Sequence, residues 1–307
     1  MSLIHIHMRI TGKLFFALLF AVAANAYGQS WPYASQNEAE NLAQIRMHAE
    51  SGDANAQYDL AWMYDTGGDD QILAKDVRKA AEWYEKAAVQ GHAKAQTGLG
   101  LLYVNGQGIP QDFVKGVDWL QKAAAQGEAE AQLNLGWLYR DKKGIPEDPT
   151  KALQWWQNAA DRGFAHAQFI LGVIYNNGEI VPKDVAKTIE YWKKAVMQGY
   201  PSAQLNLGTM YYLGNGVPKD VDRAANLWQK AAAFGNADAQ FNLALAYHQG
   251  IGKQKDELLS YVWSNLAVVY GGHENAKKLR DSIELNPEQR KAAEKMFANW
   301  QLGKVYR

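Results

Sequence analysis

The sequence predicts an all-α protein, an α/α solenoid of six helix–loop–helix units with a helical cap at each end. Three observations support this fold class. Residues of four types recur at a spacing of 36. Each unit contains two stretches with the apolar spacing of an α-helix, and turn-forming residues separate them. One helical hairpin cannot bury its own apolar face, whereas a stack of hairpins can.

The repeat consists of glutamine, tyrosine, aspartate and glycine in a fixed phase. Gln57 and Tyr64 lead the first two series. The series are Gln96, Gln132, Gln168, Gln204 and Gln240; Tyr103, Tyr139, Tyr175, Tyr211 and Tyr247; Asp76, Asp112, Asp148, Asp184, Asp220 and Asp256; and Gly91, Gly127, Gly163, Gly199, Gly235 and Gly271. They define six units: 54-92, 93-128, 129-164, 165-200, 201-236 and 237-273. The first is longer because its loop, 67–75, is extended.

Each unit is predicted to form a first helix, helix A, and a second, helix B. In the third unit, small and apolar residues of 129–139 recur at spacings of three and four, which indicates helix A. Asp148 can cap helix B, and Pro149 fits its first turn. Gly163 supplies a left-handed residue to end it. Helix B is therefore expected at about 149–162.

Small residues recur where the two helices of a unit should meet, including Gly100, Gly136, Gly172 and Gly208. We expect them to let the helix backbones approach closely. Bulky rings are expected in the outer layers of the joint, which makes most of the tryptophan content structural. These rings are Trp83, Trp119, Trp155, Trp156, Trp192, Trp228 and Trp263.

Both ends of the stack have helices to cover them. Residues 27-53 form the predicted N-terminal cap, with a lone helix B over 38–51 closed by Gly52. Residues 274-307 form the predicted C-terminal cap. Its last helix begins with Asn286 as N-cap and Pro287 at the first helical position, and runs to about Trp300.

Residues 1-26 are predicted to be a signal peptide. Arg9 and Lys13 precede the apolar run 14–23, and Ala24 and Ala26 form an A-x-A end. This pattern indicates cleavage after Ala26 and a periplasmic or secreted protein, with no integral membrane span after cleavage. An uncleaved anchor is the competing interpretation, but it would need about 20 apolar residues. Translation from Met1 and from Met8 both stay open.

Composition and motifs exclude several classes of function. Lys plus Arg and Asp plus Glu are balanced at 32 each, so no excess positive charge favours nucleic acid as a partner. No cysteine is present, which excludes disulfides, thiol catalysis and zinc–thiolate sites. Short signatures for acyl transfer, zinc hydrolysis and nucleotide binding are missing. We therefore expect no catalytic residues, cofactor or metal. The missing motifs do not exclude a glycosidase-type pair of carboxylates, because such a pair has no short sequence signature.

The second unit, AKAQTGLGLLYVNGQGIPQDFVKGVDWLQKAAAQGE, resembles the Sel1-like repeat, a relative of the tetratricopeptide repeat with a longer loop. The resemblance covers roughly residues 54–273. It implies an α/α right-handed superhelical solenoid used as an adaptor or interaction scaffold, and exported bacterial members pair a signal peptide with tandem repeats. Local departures occur at Lys142, at Pro201 and at the pair Lys253 and Gln254.

A variable stripe on helix A is the candidate binding surface, because concave faces of solenoids are their usual binding surfaces. Aromatic rings among isolated polar groups suit an extended peptide or a partner helix. The candidate residues are Tyr58, Trp62, Lys94, Trp137, Arg140, His166, Phe169, Tyr212, Phe241 and His248. The competing interpretation is that residues such as Leu133, Leu205 and Phe241 only pack against neighbouring units.

The function expected from the sequence is a non-catalytic interaction scaffold in the bacterial cell envelope that binds a protein or extended peptide. Two alternatives stay open: a regulator of a cell-wall enzyme, and a cell-wall hydrolase. The sequence does not determine the oligomeric state.

Overall fold

A computed structural model describes residues 38–67, 73–141, 144–300 and 303. The predicted signal peptide and most of the segment between it and the first helix lie outside these residues. The described residues form fifteen α-helices and no strand. The predicted all-α solenoid is confirmed.

The helices follow the predicted alternation. The N-terminal cap is α1 (Glu38–Glu50). The helices A are α2 (Ala54–Thr66), α4 (Ala93–Asn105), α6 (Ala129–Arg140), α8 (Ala165–Asn177), α10 (Pro201–Leu213) and α12 (Ala237–Gln249). The helices B are α3 (Val77–Val89), α5 (Phe113–Ala125), α7 (Pro149–Asp161), α9 (Val185–Met197), α11 (Val221–Ala233) and α13 (Glu257–Gly271). The C-terminal cap contains α14 (Glu274–Ser282) and α15 (Pro287–Ala298).

Packing in the solenoid is local along the chain. Each helix A packs against helix B of its own unit and against the helix B that precedes it. At the C-terminal end, α13 packs against both α14 and α15. The apolar core extends from Leu42 in α1 to Ala293 in α15. No helix of the described ranges is long and apolar enough to cross a membrane.

The recurring aspartate is the N-cap of every helix B, as predicted. Each carboxylate accepts a hydrogen bond of 2.9–3.1 Å from the backbone N–H three residues later. Its own backbone N–H donates to the carbonyl of the recurring tyrosine of helix A, as Asp184 does to Tyr175 at 2.9 Å. A lysine or arginine after the cap lies over the same tyrosine ring in five units; Lys187 over Tyr175 is one example, at 4.7 Å. The two series therefore join helix A to helix B.

The recurring glutamine of helix A connects neighbouring helices B. In five units its Nε2 donates to a carbonyl of the preceding helix B at 3.0–3.2 Å. In three units its Oε1 also accepts from a glutamine after the following helix B; the pairs are Gln57 with Gln90, Gln96 with Gln126, and Gln168 with Gln198. The other units have Arg162, Phe234 or Tyr270 at that position. Among the described residues, the Oε1 atoms of Gln132, Gln204 and Gln240 have no hydrogen-bond partner.

The prediction that the tryptophans fill outer layers is wrong for helix B of units 3 to 6. Trp156 and Trp263 are fully buried, and Trp192 and Trp228 nearly so. The glycines of helix A make room for the indoles: a Cβ on Gly172 would lie 2.3 Å from the Trp192 ring. The reason is geometric, since a missing side chain on one helix leaves space for a large one on the next.

The last unit departs from the repeat at its end. Gly271 was expected to supply the left-handed residue that ends helix B, but it lies inside α13. Gly272, with φ of 60°, ends the helix instead. Helix α13 has 15 residues where the other helices B have 13, and this added length moves the cap by one position.

Candidate functional site

The variable stripe of helix A is the candidate binding surface, and we call the surface it forms the helix-A groove. Burial raises the pKa of Tyr58 in unit 1, and the negative charge of Glu130 in unit 3 adds to this effect. Unit 2 separates these residues along the stack.

Aromatic rings of the stripe close the joints between units. Tyr58 stacks on His92 with ring centroids 4.7 Å apart, Phe169 lies 5.2 Å from Tyr200, and Phe241 lies 4.5 Å from His273. In each pair the second residue is an N-cap: His92 of α4, Tyr200 of α10 and His273 of α14. Phe169 is only 8% exposed, so it supports the groove from beneath.

The interpretation of part of the stripe as packing core is supported at two positions. Leu133 is 1% exposed and Phe169 belongs to the same buried cluster. Leu205 and Phe241 are half-buried, so they keep a surface that solvent can reach. The stripe is therefore a mixture of core and groove residues.

The two tryptophans of the stripe, Trp62 and Trp137, are half-buried. Trp62 packs on the core of the first two units. Trp137 lies 5.0 Å from the buried Trp156, and the Arg140 guanidinium lies 4.2 Å above the Trp137 ring. Arg140 also pairs with Asp141 at 2.9 Å. The middle of the groove thus contains an indole held between the core and a cation.

The N-terminal end of the groove is acidic. Burial raises the pKa of Asp59 to about 6, and Asp53 adds to this effect while Lys94 opposes it. Desolvation and the neighbouring Glu128 raise the pKa of Glu130, although the Glu130 side chain is exposed.

His166 lies in the middle of the groove among aromatic rings. Its ring is 5.5 Å from Tyr200 and 6.4 Å from Phe164. Burial lowers the pKa of His166 to about 4, so the imidazole is neutral at pH 7. This section of the groove is therefore aromatic and uncharged.

Contacts within the chain engage the predicted residues at the C-terminal end. Tyr212 lies 5.5 Å from Trp228, with Lys219 5.7 Å from the Tyr212 ring. His248 pairs with Glu257 at 2.8 Å. The N-terminal half of the groove therefore contains more charged side chains without a salt bridge than the C-terminal half.

Sequence reasoning missed the residue that precedes each helix A. His92 stacks on Tyr58, Tyr200 stacks on His166, and Glu128 contributes to the acidic end. A signal for them was present, because positions 92, 128 and 200 recur in the same phase as the four series. Their variable residue types concealed it.

The acidic and histidine side chains of the described residues are dispersed along the stack. No cluster of three or more His, Cys, Asp or Glu side chains among them could hold a metal ion. The recurring aspartates bind helix amides, which accounts for their regular spacing. What the groove offers is contact surface, with aromatic faces, carboxylates and a few cations.

Fold and groove together define an α-helical repeat solenoid with a variable inner surface. A Sel1 repeat model matches residues 54–92, 93–128, 129–164, 165–200, 201–236 and 237–268. The chain belongs to the Sel1 repeat family. Proteins of this family generally serve as scaffolds for protein interaction.

The chain is also similar to solved structures. A Sel1 repeat protein from Oxalobacter formigenes is 31% identical, with 83% of this chain and 95% of that chain covered and a TM-score of 0.64. A protective antigen of uropathogenic Escherichia coli is 25% identical, with coverage of 87% and 65% and a TM-score of 0.49. An immunity protein from Pseudomonas aeruginosa is 24% identical, with coverage of 78% and 86% and a TM-score of 0.49. Comparison with curated protein sequences finds no match.

Proposed function

We propose that this protein is a non-catalytic scaffold of the bacterial cell envelope that holds an extended segment of a partner protein or peptide in the helix-A groove. The observation that carries the proposal is the position of Trp62 and Trp137. Both indoles belong to the variable stripe of helix A and are only half-buried. Half-exposed tryptophans on a concave surface are typical anchors for binding.

The contrast between constant and variable positions supports the proposal. The recurring Gln, Tyr and Asp residues are engaged in bonds that hold the helices together. The stripe changes its residue type from unit to unit, so packing does not impose a common side chain there. A surface free of that requirement is available for recognition of a partner.

Location in the envelope is supported by the pattern of residues 1–26, which is typical of a cleavable secretory signal. Expression of the full chain in a bacterium, followed by fractionation and N-terminal sequencing, tests it. A mature chain that begins at Tyr27 in the periplasm or medium supports export. An unprocessed chain in the cytoplasm would contradict it.

Affinity capture from an envelope extract tests the scaffold function. The groove variant is Trp62→Leu/Trp137→Leu, which keeps apolar packing against the core while removing both indoles. The matched control is Trp83→Leu/Trp119→Leu, because these indoles lie on helices B beneath Lys86 and Lys122 at 3.6 and 4.2 Å. Circular dichroism establishes that each variant is folded.

We expect one partner to be retained by the wild type and the control, and lost by the folded groove variant. Equal retention by all three proteins would place binding elsewhere on the molecule. If no protein is retained specifically by the wild type, the scaffold proposal is contradicted for the envelope.

A further inference from the structure

We infer that a cleft between the helices B of units 2 and 3 binds a lysine whose α-carboxylate is free, as the amino acid or as the last residue of a peptide. The cleft has a volume of about 510 Å³. Two alanines of α5 line it, together with Gln132, Trp155, Asn158, Asp161 and Arg162. The inference goes beyond the proposed function, because these residues are not those of the variable stripe.

A lysine covers an aromatic ring of helix B in units 1, 2 and 4. Its ammonium lies 3.6–5.1 Å from the centroid of the ring three residues earlier, as Lys122 does over Trp119 at 4.2 Å. Unit 3 has Trp155 at the ring position but Asn158 at the lysine position. Within the described ranges no Lys or Arg lies over the Trp155 ring, which is half-buried. The ring therefore borders the cleft without the cation that those three units supply.

A glutamine after helix B is also replaced in unit 3. In units 1, 2 and 4 this glutamine donates to Oε1 of the buried glutamine of helix A at 2.8–2.9 Å. Unit 3 has Arg162 at that position, and Gln132 is 3% exposed with no hydrogen-bond partner for its Oε1 among the described residues. A buried acceptor without a donor is unfavourable. An N–H group of a ligand in the cleft would satisfy it.

Arg162 lacks a partner for its charge. Its side chain makes no hydrogen bond or salt bridge to another residue of the described ranges, and it packs over Gly127, where no side chain obstructs it. The planar guanidinium fork matches the two oxygens of a carboxylate. Asp161, the preceding residue, has one oxygen bonded by Gln157 at 2.7 Å. One wall of the cleft therefore presents a site for an anion beside a negative charge.

Units 5 and 6 do not repeat this combination. The Oε1 atoms of their buried glutamines, Gln204 and Gln240, also lack a partner among the described residues. The ring position, however, is Leu227 in unit 5, and in unit 6 it is Trp263, which is fully buried. A free acceptor and an accessible indole therefore coincide in unit 3.

A lysine with a free carboxylate supplies the three missing groups. Its ε-ammonium lies over the Trp155 ring, as the lysines of units 1, 2 and 4 lie over theirs. Its carboxylate binds Arg162, and its α-nitrogen donates to Oε1 of Gln132. Asp161 offsets the charge of Arg162, so the wall does not repel the ammonium. An acidic or purely aliphatic amino acid would leave the ring without a cation.

The test is titration of the chain from Tyr27 onwards, labelled with ¹⁵N in its tryptophans, while the indole N–H signal of Trp155 is followed by NMR. Trp155→Phe identifies this signal by removing it. The probes are lysine, Nα-acetyl-lysine, lysine amide and norleucine. Nα-acetyl-lysine represents the end of a peptide, lysine amide lacks the carboxylate, and norleucine lacks the ε-ammonium.

The filled-cleft variant is Asn158→Lys/Arg162→Gln, which gives unit 3 the lysine and the glutamine of unit 2 and leaves the net charge unchanged. Its glutamine restores the bond to Gln132, so its melting temperature should be no lower than that of the wild type. The matched control is Asn275→Lys/Arg290→Gln, which makes the same two exchanges at exposed positions of α14 and α15.

We expect lysine to shift the Trp155 signal in the wild type and the control, and not in the filled-cleft variant. Norleucine and lysine amide should bind about tenfold more weakly, since each lacks one charged group. Nα-acetyl-lysine distinguishes the two sources of the ligand: affinity equal to that of lysine supports a peptide end, and lower affinity supports the free amino acid.

Three outcomes would overturn the inference. Norleucine that binds as tightly as lysine would refute the ammonium site. An equal shift in the filled-cleft variant would place binding outside the cleft. If no probe changes the Trp155 signal, the cleft is not a lysine site. The proposed function is tested separately through Trp62 and Trp137, so it stands or fails independently of these results.

Discussion

Single residues decide whether the buried glutamine of helix A is fully hydrogen-bonded. Gln168 is satisfied because Gln198 donates to its Oε1 at 2.9 Å. Gln204 is equally buried, but Phe234 at the corresponding position has no donor to offer. A buried acceptor without a partner destabilises a protein by about 1–3 kcal/mol.

Phe234→Gln is therefore expected to raise the free energy of unfolding by about 1 kcal/mol, the usual net value of a hydrogen bond. Phe234 is 56% exposed, so its removal loses little apolar burial. Urea denaturation followed by circular dichroism measures the change. The reverse replacement, Gln198→Phe, should lower stability by a similar amount, and an unchanged midpoint for both would refute this account.

Glycine in helix A leaves room for a bulky side chain of helix B, which is Leu120 at Gly100 and a tryptophan at Gly136, Gly172 and Gly208. Gly172 leaves room for Trp192, whereas units 1 and 6 have Ala61 and Ala244 at the same position. In unit 1 the facing residue is Tyr84, not tryptophan. The side chain of helix B that faces this position therefore determines whether glycine or alanine occupies it.

Gly172→Ala is predicted to lower the free energy of unfolding by about 1–3 kcal/mol, because the added methyl overpacks against the Trp192 ring. Chemical denaturation gives the value. The double variant Gly172→Ala/Trp192→Leu should lose less than the sum of the two single losses. Strict additivity would show that the steric contact is not the cause.

His166 is predicted to make stability depend on pH. Burial lowers its folded-state pKa to about 4, below the value of about 6.5 in an unfolded chain. The unfolded state therefore binds the proton more readily, and stability is lost as pH falls from about 6.5 towards 4. His166→Phe keeps a ring between Phe164 and Tyr200 without a titrating group. The decrease in melting temperature between pH 7 and pH 5 should be smaller in this variant; an equal decrease would contradict the assignment.

At the scale of elements, one cap holds each hairpin together. The recurring aspartate binds a helix B amide through its carboxylate and a helix A carbonyl through its own backbone N–H, and a lysine or arginine near the cap covers the tyrosine ring in five units. The loop between the helices can therefore vary in sequence, because both of its ends are held by these bonds.

Asp184→Ala should lower the free energy of unfolding by about 1 kcal/mol, the usual effect of losing an N-cap side chain. Asp184→Asn is the control, since asparagine caps helices about as well as aspartate. Thermal melts of both variants provide the comparison. A loss as large for asparagine as for alanine would show that charge, and not capping, is responsible.

At the scale of the whole molecule, stability is built from contacts between consecutive helices. Each hairpin packs only on its neighbours in the chain, and the caps α1, α14 and α15 cover the ends. Removal of one complete unit therefore joins a helix B to a helix A, which is the same kind of interface as between the other units. Removal of a single helix places two helices A together, which have no complementary surface.

Deletion of residues 165–200 is accordingly expected to leave a shorter, cooperatively folded solenoid with the same helical content per residue. Deletion of residues 183–200, which removes α9 alone, should produce a poorly folded chain. Circular dichroism and thermal melting of the two variants test this. If both deletions fold equally well, the units are not the building blocks of stability.

The groove could be predicted only in part. Helical spacing predicts which positions of helix A share a face, and Tyr58, Trp62 and Trp137 are half-buried in the structure. The spacing did not reveal that Phe169 is covered by Tyr200, or that Glu130 acts on Tyr58 across unit 2. Burial of a helix face depends on the neighbouring unit, which no pattern within one helix describes.

By itself, the sequence determined the number of units, the helix starts and the aspartate caps, because these depend on bonds between residues close together in the chain. Only the tertiary structure decided where the tryptophans lie and which glutamines lack a partner. Those properties depend on side chains that meet across helices. Residues that are distant in the sequence come together there, and no pattern within one helix describes them.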